Sequence, residues 1–406
     1  TRLQAMVCQH KVHVIGAGIA VLSFAVALAQ MAKARGHGEL SPSQLRIDEA
    51  APGPSSDGAG IQLGPNVVRL LQDQLGLKDV LNTLGFAPKG VSLLNMRSGK
   101  RLARLSLDDF EARYGARYLT IHRAALQAAL LTRVQKNGHS VNWSRPFAGT
   151  RDKPELLVGA DGKRSVCRTL YVEHQSQAHK PFYTGQVALR SVLTSLDEVP
   201  EPQRHDITVW TGPRHHLVGY PMVMPVKGSM AFYYNLVGFI DGQDINTEET
   251  GWSRLASTQQ VNLLLQALHP SLQWIQPAAG AWSSWPLWAS PTMESADDHY
   301  RNHVFLIGDS AHAMRPHQAQ GSAMAIEDAC ALARHLTYGS GSLQERCQQA
   351  AKERWRRNAR VQRQSARNGR IFQLTGPMAW FRDRALQLAG HKLMDQPWLF
   401  GGPTES

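Results

Sequence analysis

The spacing of hydrophobic and polar positions changes character along the chain, and each change predicts an element. In "HVIGAGIAVLSFAVALAQ" (13–30) a short β-branched run meets Gly-Ala-Gly and passes into a long apolar, alanine-rich stretch. That order predicts a strand, a tight turn and a helix. A second strand, "LRIDEA", ends at Glu49. In "GPNVVRLLQDQLGL", Pro65 suits a first helical turn, and Val68, Leu71 and Leu75 share one face. A further helix is predicted over 122–136, and "ELLVGADG" reads as a buried strand running into a turn. Between about 180 and 290, short β-like runs alternate with Gly/Pro breaks, which predicts an antiparallel sheet in a second domain. "HVFLIGD" (303–309) is another buried strand, followed by a small-residue helix from about Ser322 to His335. The segment 343–372 is helical throughout, and Gly376-Pro377 interrupts it.

Composition narrows the class. A chain of 406 residues supports two domains, or one large α/β domain with an inserted partner. The formal net charge of +12 permits anionic partners such as a phosphorylated cofactor or an acidic substrate. Cys8, Cys167, Cys330 and Cys347 are far apart and form no C-x-x-C or Cys/His zinc spacing. Neither a disulfide framework nor a metal site is expected, and the setting is read as reducing and cytoplasmic. No apolar run reaches the roughly 18 residues that a membrane span needs, and "TRLQAMVCQHK" lacks the apolar core of a secretory leader. "KERWRRNARVQRQSARNGR" (352–370) carries eight basic residues and one acid. It is read as the solvated face of a long helix rather than a nucleic-acid site. "WSSWPLW" (282–288) is read as core, with one tryptophan free to reach a pocket.

Three glycine–acid turns carry candidate chemistry. In the first, Gly16 and Gly18 let backbone approach a pyrophosphate at a helix N-terminus, and an acid at the end of the next strand meets a ribose. Glu49 lies 31 residues after Gly18, rather than the usual ~20, because "AKARGHGELSPSQ" lengthens the connection. Strand alternation lets only one of Asp48 and Glu49 face the ribose, and Glu49 is favoured. Val21 stands where the pattern has its third glycine, which predicts a helix pushed outward or a local repacking, at ~1–3 kcal/mol. This turn alone is also compatible with an ordinary strand–helix connection. The second turn is "VGADGKRSVCR" (158–168). The third is "LIGDSAHAMRPHQAQGSAMAIEDA" (306–329), where Asp309 can accept from polyol or ribose hydroxyls and Pro316 gives a rigid bend. Gln320-Gly321-Ser322 then opens a helix whose free N–H groups favour negative charge.

Together, in this order, the motifs resemble the class A FAD-dependent aromatic monooxygenases, nearest the salicylate-hydroxylase-like and hydroxybenzoate-hydroxylase-like branch. "GAGIQLGPNVVRLLQDQLGL", "IHRAALQAAL" and "GPRHHLVGYPMV" extend the likeness over nearly the whole chain. The resemblance implies an α/β fold: a Rossmann-like FAD-binding domain interleaved with a mainly antiparallel β-sheet substrate domain, then C-terminal helices. The boundaries implied are 10–75, 106–178 and 292–340 for a discontinuous FAD domain, 76–105 and 179–291 for the substrate domain, and 341–406 for the helical region. It implies FAD as cofactor, NADH or NADPH as co-substrate, O₂, and hydroxylation of a phenol or aromatic acid through a flavin C4a-hydroperoxide. By motif, Gly16 and Gly18 would face the pyrophosphate and Glu49 the adenosine ribose. Arg123 would contact FAD near its phosphates or ribityl chain. Asp161 belongs to a fingerprint linked to FAD and NAD(P)H. Asp309 would hold the ribityl and ribose hydroxyls, and Gly321 and Ser322 would present N–H groups to the flavin pyrimidine edge. Ala125 stands where an aspartate is common, and the segment 141–157 is shorter than the usual β hairpin.

The catalytic candidates are His216, Tyr220 and Pro316. His216 and Tyr220 lie four apart in "HHLVGYP", so an extended segment puts both on one face. They resemble the His/Tyr pair of hydroxybenzoate-hydroxylating relatives: a histidine that takes a proton near neutral pH and a tyrosine that orients a phenol oxygen. His215 faces the other way. Pro316 stands where some relatives have a polar side chain, and His317 and Gln318 are alternative lining residues. His312 and His317 do not read as metal ligands, since no acid or third histidine completes a set at helical spacing. The partners expected are a small aromatic molecule, O₂ and NAD(P)H, with no nucleic acid and no integral membrane contact; a homodimer is open. Two other readings stay open: a degenerate flavin-binding protein without turnover, and an FAD-dependent epoxidase or oxidase of a non-aromatic metabolite. An NAD-dependent dehydrogenase is a third.

Overall fold

A computed structural model describes residues 11–36, 41, 43–56, 59–149, 154–171, 180–226, 228–242, 254–266 and 268–403. Cys8 and parts of the 37–42 and 150–157 connections lie outside them.

The β-branched run at the amino end forms the strand Val12–Ile15 near the middle of a six-stranded sheet. It pairs in parallel with Leu45–Asp48 on one side and Leu156–Gly159 on the other. Beyond these lie Val141–Asn142 at one edge, and Val304–Leu306 followed by Tyr300–Arg301 at the other. Strands buried on both faces read as continuous apolar runs, which is why "ELLVG" and "VFLIG" were legible as strands. The Ile19–Ala34 helix packs over the sheet beside the Gly321–Tyr338 helix, and Val21 is completely buried in this main core. Close approach is made instead at Gly308, where an added Cβ would lie 3.1 Å from Ala325 Cβ and 3.4 Å from Ala20 Cβ.

Residues 182–289 build the predicted second sheet. Its long strands Phe182–Leu193, Ser229–Asp241 and His216–Val226 are antiparallel neighbours, with Asp206–Thr211 next to them. The sheet is not wholly antiparallel: Asp206–Thr211 pairs in parallel with Gly90–Asn95, which pairs with Arg101–Ser106. The helix begun at Pro65 passes into a π-helical turn at Leu70–Gln74, and Val68, Leu71 and Leu75 are buried as their spacing predicts. Gly376-Pro377 does interrupt the Leu343–Phe372 helix, and a new helix, Gly376–Met394, starts there. Among the described residues, no helix is long and apolar enough to cross a membrane.

The basic segment keeps its predicted solvated face at Lys352, Arg356, Arg360, Arg363, Arg367 and Arg370, which are exposed, but two of its arginines turn inward. Arg354 is fully buried and paired with Glu327 and Asp328, and Arg357 also reaches Glu327. Two acids at the middle of the Gly321–Tyr338 helix draw these cations inward, a long-range pairing that composition does not reveal. Cys167, Cys330 and Cys347 are buried free thiols.

Candidate active site

One continuous cavity of about 2120 Å³ joins the two sheets. Its first part is the crevice beyond the carboxyl ends of the parallel strands, the usual ligand position in such sheets. Gly16, Glu49, Asp161 and Asp309, each just past the end of one of these strands, all line it. Gly16 has φ +113°, and a Cβ there would meet the Ala160 carbonyl oxygen at 2.4 Å, so the turn requires glycine. At Gly18 and Gly321 a Cβ would meet nothing within 4 Å. Both sit at the starts of long helices that have no side-chain cap, so first-turn N–H groups stay available to an anion.

Alternation separates the two acids after the second strand. The Asp48 carboxylate accepts from Asn142 and pairs with His13 and Arg46. The Glu49 carboxylate accepts the Ala17 N–H at 2.7 Å and the Ala51 N–H at 2.8 Å, beside the glycine turn. Arg123 opens its helix at the cavity wall. Gln127, one turn on, lines the cavity and donates to the Ala17 carbonyl at 2.8 Å; it lies within the "IHRAALQAAL" motif, which assigns it no role. Asp161 lines the cavity and also holds a helix start. Its carboxylate accepts from the Val166 and Cys167 N–H groups at 2.7 and 3.1 Å and from the Ser165 hydroxyl, so it caps the Val166–Tyr171 helix. Asp309 is exposed to the cavity, and its carboxylate has no hydrogen-bond partner among the described residues.

The far part of the cavity lies against the larger sheet. His216, Val218 and Tyr220 line it in alternation, and His215 does not. Two glycines seat the rings there. A Cβ on Gly60 would fall 2.7 Å from Tyr220 Cε2, and one on Gly369, inside the Leu343–Phe372 helix, would fall 2.3 Å from His317 Cδ2. His216 stacks on Phe239 at 4.6 Å between centroids and meets His317 and Phe372 edge-on at 5.0 and 5.4 Å. Burial, then the neighbouring His317 and His215, holds His216 well below the usual histidine range. The expectation that it titrates near neutral pH is therefore corrected: it is a neutral imidazole. Burial lowers His317 to about 3 and pushes the Tyr220 hydroxyl up, so both are neutral at pH 7 as well. Pro316, His317 and Gln318 all line the cavity, as do two tryptophans of the 282–288 stretch, Trp285 and Trp288.

No acid or third histidine completes a set with His312 and His317 at helical spacing, but the fold brings an acid and a second histidine to His312 from farther away in the chain. Asp328 and His299 lie with it in one buried cluster, brought together from 13 residues before and 16 after. Asp328 accepts from Gly308 N–H, Arg354 and Asn358 as well as bonding His312 at 2.5 Å, and both His299 nitrogens are bonded. The cluster is an ion-pair and hydrogen-bond network.

Residues 9–365 match a family model described as an FAD binding domain. The chain belongs to this FAD-binding family. It is 34% identical over 342 residues to 6-hydroxynicotinate 3-monooxygenase of Bordetella bronchiseptica, covering 80% of this chain and 82% of that protein. It is 29% identical over 411 residues to 3-amino-4-hydroxybenzoate 2-monooxygenase of Streptomyces cremeus, covering 96% and 95%. Its fold is that of a salicylate hydroxylase substrate complex (TM-score 0.76, 18% identity, 96% and 95% covered). It also matches Klebsiella pneumoniae HpxO complexed with FAD and uric acid (TM-score 0.72, 20% identity, 95% of each chain). The resemblance read from the motifs thus holds for family, fold, cofactor and monooxygenase class. The residues of this FAD-binding chain fit the coenzyme: open cradles at Gly18 and Gly321, two uncapped helix starts, and the exposed Asp309 carboxylate, all lining one cavity.

Proposed function

We propose that this chain is an FAD-dependent monooxygenase that uses NAD(P)H and O₂ to hydroxylate a phenol or hydroxylated aromatic acid. The observation that carries this is the continuity of the cavity from the glycine turn at Gly16 to the wall formed by His216 and Tyr220. The names of the relatives agree, since each is a monooxygenase of a hydroxylated aromatic acid. Bound FAD supplies acceptance of the hydride and activation of O₂. The protein does the rest. Gly16, Gly18, Glu49 and Arg123 would hold the adenosine and pyrophosphate end, and Asp309 would accept from the sugar-chain hydroxyls. The Gly321 and Ser322 N–H groups favour negative charge at the pyrimidine edge. Phe239, Phe372 and Val218 keep water from the reacting face. The neutral His216 and Tyr220 side chains orient a phenol oxygen by hydrogen bonds. The two-part sheet organisation supports a discontinuous FAD domain (10–75, 106–178, 292–340) and a substrate domain (76–105, 179–291).

The test is to purify the chain with its flavin and follow NAD(P)H oxidation and peroxide release over a panel of hydroxylated aromatic acids. At least one ring should accelerate NAD(P)H oxidation while peroxide falls below stoichiometry. A protein that takes up no FAD, or that converts all NAD(P)H to peroxide with every ring, refutes the proposal.

A further inference from the structure

Gln186 and Gln373, which no motif singles out, join the two histidines at the buried end of the cavity. Gln373 Nε2 donates to His216 Nδ1 at 3.2 Å, and Gln186 Nε2 donates to Gln373 Oε1 at 2.7 Å. Gln186 Oε1 lies 3.0 Å from His317 Nε2. A primary amide has one donor end and one acceptor end, so two amides in series run in a single direction. The Phe239 carbonyl sets that direction, because only the amide nitrogen of Gln373 can donate to it, at 3.5 Å. His317 must then carry its proton on Nε2 to meet Gln186 Oε1. His216 must leave Nδ1 bare to meet Gln373 Nε2. A neutral imidazole has one ring proton, so His216 carries it on Nε2 and His317 has a bare lone pair on Nδ1. Those two nitrogens are the ones without a hydrogen-bond partner, in side chains 0% and 7% exposed that line the cavity. Buried polar atoms in folded proteins are nearly always bonded to protein, water or ligand, so these two, on side chains that line the cavity, are open to a bound ring.

We infer that Gln186 and Gln373 are positioning residues that give His216 and His317 opposite polarity, so that this end of the cavity takes an aromatic ring carrying an acceptor for one and an adjacent donor for the other. The inference deepens the proposed function and rests on it for the aromatic ring. Neither glutamine lines the cavity, so each acts through a histidine. A carbonyl oxygen beside a ring N–H, or two neighbouring hydroxyls, satisfies both histidines. An ionised carboxylate offers only acceptors and leaves His317 facing a second lone pair. Substrate analogues that present a carboxylate at this end should bind roughly tenfold to a hundredfold more weakly than those presenting the mixed edge.

The test is nitrogen-15 spectroscopy of histidine-labelled holoenzyme, in which couplings from the ring carbons' protons to the nitrogens report the tautomer. Both histidines should carry their proton on Nε2. Gln186→Glu puts an acceptor-only group two links from His216. Once ionised, the new carboxylate outweighs the long 3.5 Å bond to the Phe239 carbonyl, so Gln373 turns its nitrogen to residue 186 and its oxygen to His216, which moves its proton to Nδ1. The His216 signals should switch although residue 186 does not touch that ring, an effect that loss of packing would not produce. Gln373→Met should leave His216 as a mixture of tautomers and lower kcat/KM about tenfold, mostly through KM. A His216 protonated on Nδ1 in the unsubstituted protein overturns the inference, whether or not the variants fold. So does a His216 spectrum unchanged by Gln186→Glu at a pH where a carboxylate signal shows residue 186 to be ionised. The tautomer readout needs no turnover. A protein that hydroxylates nothing would therefore refute the proposed function while leaving this circuit standing.

Discussion

Two histidine pairs sit in this molecule at similar ring separations, 5.8 Å for His299 and His312 and 5.0 Å for His216 and His317, and they are wired differently. The first pair surrounds the Asp328 carboxylate, which Arg354 also grips, and three of its four nitrogens are bonded to protein. Neither of its members lines the cavity. Among the described residues, the ring hydrogen bonds of the second pair run to two neutral amides; the pair lines the cavity and keeps one nitrogen of each ring without a hydrogen-bond partner. An ionic cluster whose groups neutralise one another holds a fold in place. A neutral amide circuit leaves hydrogen-bonding capacity over and fixes its polarity, which is what a recognition surface needs. The first pair still serves the site indirectly, because Asp328 accepts the Gly308 N–H at 3.2 Å and so steadies the turn that presents Asp309.

The largest expected effect breaks the ionic cluster. Asp328→Ala leaves Arg354 buried without its full set of partners and should cost about 3–5 kcal/mol, seen as a large drop in urea midpoint or as insoluble protein. A variant as stable as the parent would show that the cluster contributes nothing to the fold. Acid acts on the same cluster. Burial is the main cause that holds His299 down to about 4, against an unfolded value near 6.5. The unfolded chain therefore binds the extra proton first, and stability should fall as pH drops from about 6.5 to 4, by about 3 kcal/mol from this residue. Burial also opposes ionisation of Asp328, but His312, His299 and Arg354 outweigh it and hold that carboxyl far below its usual range, so its own loss comes at still lower pH. Midpoints that stay level over this window would contradict the reading.

Effects on the cavity are smaller and concern function. Asp309→Ala should lose most of its flavin, with affinity down roughly tenfold to a hundredfold and folding little changed. Stoichiometric flavin after gel filtration would remove Asp309 from the site. Gly369→Ala is the finest probe of the amide-linked pair. Alanine in a helix normally stabilises by roughly 0.5–1 kcal/mol, yet here its Cβ would force the His317 ring aside. The expected outcome is near-normal stability with more peroxide released per NAD(P)H, and coupling equal to the parent would show that His317 does not need this seat.

Much of the scaffold was legible because it is written in local patterns. Apolar strands ending in glycine and an acid, the Pro65 helix start and the Gly376-Pro377 break act over a few residues, and the fold follows them. Alternation alone separated Asp48 from Glu49 and His215 from His216. What only the tertiary structure decided depends on side chains far apart in the chain. Arg354 and Arg357 turn inward to Glu327 and Asp328. Asp161 spends its carboxylate on a helix start. Gln186 and Gln373, 187 residues apart, meet at 2.7 Å beneath the cavity. A sequence specifies the period of an element and the chemistry of a turn. Which buried polar groups satisfy one another, and which are left for a ligand, is settled only when distant elements close around the same low-dielectric space.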